Sequence, residues 1–253
     1  MKKVIAGLFA AALSFAAPQT ATAAGSAIEL PSYEWSFEGV FGSYDKASLQ
    51  RGFQVYQGVC ASCHSLDYIS FRNLADLGFS EDEIKAIAVD YTVQDGPNDD
   101  GEMFDRAGLP SDAFPAPFSN AKEAAASNGG KAPPDLSLMA KARVGGPNYI
   151  KALLVGYEEA PSGFDVGQGN YNKYFPGHVI AMANPLFDDA VEYADGTPAT
   201  VEQMAGDVSN FLMWTAEPKL EDRKGTGVFV MIFLIFFTLI MYAAKRKAWA
   251  DVH

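Results

Sequence analysis

Cys60-Ala61-Ser62-Cys63-His64 is the stretch on which the reading of this chain turns. It fits C-x-x-C-H, the attachment pattern for c-type haem. Two thiols three residues apart lie on one helical turn, where each can bond to one of the two vinyl positions of a haem. The adjacent imidazole then reaches the iron from the proximal side. A redox dithiol would follow a strand, and its chemistry has no role for the histidine. A disulfide here would close a negligible loop. A zinc site needs further ligands, and only His178 and His253 remain. Two cysteines in 253 residues also exclude a multi-disulfide scaffold and a four-cysteine zinc module.

Upstream of the motif, Leu49, Phe53, Tyr56, Cys60 and Cys63 recur at helical spacing, so a helix should run from about residue 46 into the cysteine pair. The sixth iron ligand decides between electron transfer and ligand chemistry. Candidates are Met103, Met139, Met182, Met204, Met213 and His178. Met139, Met204 and Met213 fall on expected helices at core spacing, where packing is the ordinary role of methionine. Met103 sits in an acidic stretch. Met182 lies in an apolar loop bounded by Pro176 and Pro185. The residues alone leave Met182 and His178 both open, with preference to Met182. An iron with no sixth protein ligand would instead mean an anchored haem enzyme or sensor.

Four further helices are expected. Ser80 with Glu83 forms a capping box opening a helix to about Val89. Asp135 can cap Leu136–Arg143, stopped by Gly145-Gly146. Pro147 suits the first turn of Asn148–Val155, ended by Gly156. Thr200 with Gln203 forms a second box, followed by Val201, Met204, Ala205, Val208, Phe211 and Leu212 on one side. Alternating strand patterns are nearly absent, so the expected class is all-α. Gly and Pro punctuate 95–134 and 156–198, which predicts long ordered loops around something large.

The ends of the chain carry targeting signals. Residues 1–24 have a basic start at Lys2 and Lys3, an apolar run and a small-residue Ala21-Thr22-Ala23 site, the pattern of a secretory signal peptide. Residues 225–244 contain no charge and are apolar on all sides. Twenty helical residues span about 30 Å, the thickness of the hydrocarbon layer. Three basic residues precede this span and three follow it, so charge does not orient it. The signal peptide does: 25–224 would be a periplasmic haem domain, 225–244 a transmembrane helix and 245–253 a cytoplasmic tail. The exported part holds 30 acidic against 14 basic side chains, a net charge of −16. Such a balance excludes nucleic acid as a partner. Seven of the acids (Asp90, Asp95, Asp99, Asp100, Glu102, Asp105, Asp112) fall between residues 90 and 112 with one base, Arg106. They form either a solvated loop or a field that steers a basic protein.

Taken together, these residues resemble the cytochrome c1 family, the haem subunit of the cytochrome bc1 complex (ubiquinol–cytochrome c reductase), in its alphaproteobacterial form. The likeness rests on residues 49–56 (Leu-Gln-Arg-Gly-Phe-Gln-Val-Tyr) leading into the motif, Pro133-Pro134-Asp135-Leu136-Ser137, Ala142-Arg143 and Gly145-Gly146. It continues with Tyr149 before Leu153-Leu154, Gly156-Tyr157, Ile180-Ala181-Met182, and Trp214-Thr215-Ala216-Glu217-Pro218 before the anchor. The resemblance covers nearly all of 30–250. It implies a class I c-type cytochrome-like haem domain with long ordered loops, one covalently bound haem c and one C-terminal anchor in the bacterial inner membrane. It makes His64 the proximal and Met182 the distal iron ligand, so both would be metal-binding.

The same resemblance places Arg143 and Tyr149 at a haem propionate and Pro134 against the haem. The plain alternatives are a cation at a helix C-terminus for Arg143 and a turn leading into a helix for Pro134. Implied partners are cytochrome b, the Rieske iron–sulfur protein and a soluble or tethered c-type cytochrome acceptor. The chain would be a non-catalytic electron-transfer subunit; a lone anchored shuttle is the alternative. One departure stands out. Some bacterial members staple the loop beside the methionine with an extra cysteine pair, which this chain lacks. Its 160–186 loop is therefore expected to be held by packing alone.

Overall fold

Helix α1 (Lys46–Gly58) starts where Asp45 accepts the amide protons of Ala47 and Ser48, satisfying two donors that a helix start leaves orphaned. The computed structural model describes residues 28–251, so the expected signal segment 1–24 and the end of the expected tail lie outside the described residues. The apolar stripe of α1 is buried: Leu49, Phe53 and Tyr56 are each about 1% exposed. It faces α6 (Val201–Ala216), which also packs against α5 (Pro147–Val155) and the short α4 (Met139–Ala142). The crossing of α1 and α6 is close because Gly52 has no side chain. A Cβ there would stand 2.1 Å from the carbonyl oxygen of Asp207. Beside it, Asp207 accepts from Arg51 Nε at 2.9 Å and Ser48 Oγ at 2.7 Å, and Arg51 Nη1 reaches Asp195 at 2.9 Å. Phe53, Tyr56 and Trp214 surround Phe211, while Phe114 lies tilted against Phe71 with ring centroids 4.3 Å apart.

The remaining elements follow the chain. A 3-10 helix runs over Phe71–Leu77, then α2 over Glu81–Val89, opened by both halves of the Ser80/Glu83 box. Strands β1 (Thr92–Asp95) and β2 (Phe104–Ala107) pair antiparallel with Thr92 opposite Ala107. Helix α3 (Ala121–Ser127), which the sequence pattern does not announce, is capped by Asn120. Strands β3 (Asn170–Tyr171) and β4 (Val179–Ile180) form a second small antiparallel pair. Helix α7 (Leu220–Ala248) closes the order.

Four expectations need correction. The domain is mostly helical rather than all-α, since it carries two two-stranded sheets. The β1–β2 hairpin escapes the sequence pattern because neither of its faces is buried, so no hydrophobic alternation marks it. Asp135 does not cap a helix over Leu136–Arg143; the helix begins only at Met139, because the carboxylate is engaged elsewhere. The Thr200 box is half formed. Thr200 accepts from the Gln203 amide, but the Gln203 side chain turns to Asp207. Helix α1 also ends at Gly58, so the cysteine pair sits on a separate 3-10 turn, Cys60–Ser62.

Helix α7 is longer than the apolar run. Among the described residues it is the helix long and apolar enough to cross a membrane, with a mean hydropathy of 2.5 in its most apolar window. Leu220 at its start is buried, whereas its large apolar side chains from Phe229 to Tyr242 are exposed. The first turn belongs to the domain: Lys224 Nζ donates to the carbonyls of Phe37 and Gly42, and Glu221 accepts from the Tyr44 amide. The helix is thus bonded to the loop that leads into α1.

The acidic hairpin is built around one cation. Arg106 bonds Asp95 through Nε and Asp112 through Nη1 and Nη2. Its hydrogen bonds hold both carboxyls below the usual carboxylate range, helped by the Gly96 amide at Asp95 and the Leu109 amide at Asp112.

Two outcomes are expected. Gly52→Ala should destabilise the haem-loaded protein by about 1–3 kcal/mol, because the new methyl meets backbone; thermal unfolding measures it, and an unchanged Tm would mean the helices can part freely. The depressed carboxyls bind protons less well in the fold than in the unfolded chain. Their contribution is therefore complete above the ordinary carboxylate range, about pH 4, and is lost as pH falls through the depressed values. Protection of the Val93 and Arg106 amides, measured as exchange relative to the unstructured rate at the same pH, should fall in that acid window and not before.

Candidate functional site

The turn Cys60–Ser62 hangs from one carbonyl. The amides of Cys63 and His64 both donate to Cys60 O, at 3.1 and 2.9 Å, which puts the two cysteines and the histidine on a single turn. Both cysteines are free thiols. Burial, with Cys63 nearby, pushes the Cys60 thiol up to about 12, so it is protonated at neutral pH and is a poor redox nucleophile or thiolate ligand. Among the described residues no group of three His, Cys, Asp or Glu side chains is placed to hold a metal ion.

His64 is oriented by a residue seventy positions away. Its Nδ1 lies 2.7 Å from the Pro134 carbonyl. A carbonyl can only accept, so Nδ1 carries the proton and the Nε2 lone pair is left for a metal. Burial lowers the imidazole pKa below its usual value, against the raising effects of that hydrogen bond and of Asp135. The neutral ring is the ligating form. Tyr56 supports the same residue by donating its hydroxyl proton to His64 O at 3.1 Å.

Asp135 locks the two segments together. Its carboxylate accepts from Ser65 Oγ at 2.9 Å, the Asp67 amide at 2.8 Å and the Ser137 amide at 2.9 Å. The Leu136 amide donates to Ser65 O, and the buried Ser137 hydroxyl accepts from the Tyr68 amide. Sequence reasoning assigned Asp135 to a helix cap and passed over Ser137; the signal available was their place within the Pro-Pro-Asp-Leu-Ser stretch. Pro134 itself is exposed, and what the structure shows of it is the carbonyl on His64.

A second group gathers on α5 and the loops beyond it. Arg143 is exposed just past α4. Tyr149 is buried on α5, and its phenol is raised by that burial while the charge of Arg143 opposes the shift, so the two are neighbours. The Tyr157 phenol is raised by burial and by Tyr149. Its hydroxyl donates to the Met182 carbonyl at 3.1 Å, and Asn170 Nδ2 donates to the same oxygen at 3.2 Å. Met182 is half-buried and packs on the apolar core that Cys60 also touches. The structure thus joins Cys60, Cys63, His64 and Pro134 in one group, and ties Met182 to Tyr157 and Asn170 in a second. Among the described residues no hydrogen bond connects the two groups; they meet through the core.

The other candidates for the sixth position are occupied differently. Met204 and Met213 are buried in the core, and Met139 packs against it. Met103 is exposed in the hairpin. His178 stacks on Tyr171 at 5.7 Å, with Nδ1 3.4 Å from Asn172 O. A pair of free thiols on the turn of a neutral imidazole, with a half-buried thioether against the same core, fits a covalently attached haem.

Comparison with known proteins agrees with this geometry. The profile of the Cytochrome C1 family matches residues 35–252. The chain is similar to "Cytochrome c1" of Rhodospirillum rubrum, 47% identical over 97% of this chain and 96% of that protein. It is 52% identical to "Cytochrome c1 2, heme protein, mitochondrial" of Arabidopsis thaliana, over 93% of this chain and 76% of the relative. It is 49% identical to "Cytochrome b/c1" of Bradyrhizobium diazoefficiens over 98% of this chain, and spans 40% of that longer protein.

Proposed function

The chain belongs to the cytochrome c1 family, and from that premise we propose that it is the membrane-anchored haem subunit of a cytochrome b–c1 complex. It passes single electrons from the Rieske iron–sulfur protein to a soluble or tethered c-type cytochrome. The carrying observation is the turn that presents Cys60, Cys63 and a His64 whose tautomer is set by Pro134.

Each residue has a role in this reading. Cys60 and Cys63 hold the single haem c through thioether bonds. His64 Nε2 and the Met182 sulfur would be the side-chain ligands of its iron. When bound, the group supplies a one-electron couple, which a Met/His pair sets at a raised potential. Arg143 and Tyr149 hold a propionate, a role that suits an exposed guanidinium with no carboxylate partner among the described residues. Pro134 orients His64 and packs against the ring. No side chain has to move a proton, so no catalytic acid or base is assigned.

The layout follows the sequence. Residues 1–24 export the chain, 25–224 form the haem domain on the periplasmic side of the bacterial inner membrane, 225–244 span the bilayer beside cytochrome b, and 245–253 stay in the cytoplasm. The acidic hairpin faces the acceptor. Arg106 neutralises part of it through Asp95 and Asp112, leaving Asp99, Asp100, Glu102 and Asp105 exposed to steer a basic partner.

Met182→Leu should remove the weak far-red sulfur-to-iron band of the oxidised protein, lower the midpoint potential and let the reduced protein bind carbon monoxide. A native spectrum would return the ligand question to His178, and rapid carbon monoxide binding by the undamaged native protein would favour the open-iron enzyme instead. Electron delivery to a basic acceptor should slow as ionic strength rises; equal rates at low and high salt would remove the steering role of the hairpin.

A further inference from the structure

The segment that carries Met182 has little regular structure, and nothing covalent ties it down. Between Gly156 and Thr200 the chain forms only the two-residue strands β3 and β4. Packing alone does not account for its order, contrary to the expectation from the missing cysteine pair. At its centre Asn172 is fully buried, with no exposed area. Its Nδ2 donates to Leu153 O on α5 at 2.8 Å, and its Oδ1 accepts from the amides of Tyr174 and Phe175 at 3.0 and 3.1 Å. Its backbone amide donates to His178 O at 3.0 Å, and the Lys173 amide donates to Gly156 O at 2.9 Å. One side chain therefore ties the loop to α5 and sets the 172–175 turn. From that turn, β3 pairs with β4, and Asn170 and Tyr157 both donate to the carbonyl of Met182.

We propose that Asn172, Tyr157 and Asn170 are positioning residues for Met182: a polar lock that fixes the backbone of residue 182 against α5 and so keeps the iron closed to outside ligands. The inference rests on Met182 as the distal ligand. The physical case is the burial of Asn172. An amide with no exposure persists only when its donors and acceptors are satisfied, and the partners it would orphan are backbone groups of both α5 and the loop. Local opening of the loop must break these bonds together, so their strength sets how often the thioether leaves.

The test uses the full chain, haem-loaded and in its membrane complex. Carbon monoxide binding to the reduced protein reads the open fraction. Removing both donors to Met182 O in Tyr157→Phe/Asn170→Ala should speed that binding by about thirtyfold, the worth of two neutral hydrogen bonds, while the resting far-red band remains. Asn172→Ala should speed it further and lower the midpoint potential; where that variant does not accumulate, the double variant decides. A merely structural role would lower Tm and leave the carbon monoxide rate at the native value, and that result overturns the lock. Met182→Leu run in parallel separates the two claims. If it opens the iron and the double variant does not, the lock alone falls; if it leaves band and rate native, the ligand assignment falls and the lock with it.

Discussion

The hydrogen bond from His64 Nδ1 to the Pro134 carbonyl is the constraint on which the site depends. It joins segments seventy residues apart, settles the tautomer of the imidazole and leaves the Nε2 lone pair free of the backbone, the atom that the proposed function gives to the iron. Asp135 makes the bond durable. By gathering Ser65, the Asp67 amide and the Ser137 amide onto one carboxylate, it holds the backbone of both segments in register around the histidine. Metal-binding histidines commonly donate their other ring N–H to a carbonyl or carboxylate in this way; here the support is built from main chain and one acid rather than from a helix cap.

Behind the site, the α1–α6 crossing gives the rigid background. Gly52 lets the two backbones approach, and the buried aromatic cluster around Phe211 fills the space on either side. Arg51 and Asp207 edge the crossing with a charge pair in which Asp207 is 2% exposed. Its desolvation is offset by the further donors Ser48 and Gln203. Because α1 leads directly into Cys60, the position of the haem-bearing turn is inherited from this crossing. The grip of Lys224 and Glu221 on the 37–44 loop passes the same rigidity to the head of α7. The domain therefore has no free linker at its anchored end.

The site has an asymmetric build. The turn that carries His64 is short, fixed by backbone bonds and closed by Asp135. The segment that carries Met182 is a long loop held by one buried amide and two side-chain donors to a single carbonyl. The hairpin shows the same economy in charge, since one arginine organises two of the seven acids there and leaves the others to solvent.

The sequence by itself determined the features whose residues are adjacent in the chain. Five consecutive residues announce the haem attachment, twenty uncharged ones announce the membrane helix, and the Ser80/Glu83 box marks α2 within four positions. Only the tertiary structure decided which distant partner each polar side chain takes. Asp135 reads as a helix cap until Ser65 and Asp67 are beside it, and Arg106 reads as a lone base until the hairpin brings Asp95 and Asp112 to it. Asn172 reads as a loop residue until α5 offers the Leu153 carbonyl. The reason is physical. A side chain encodes how many bonds it must satisfy once buried, whereas the identity of the partner depends on which backbone the packed core delivers to it.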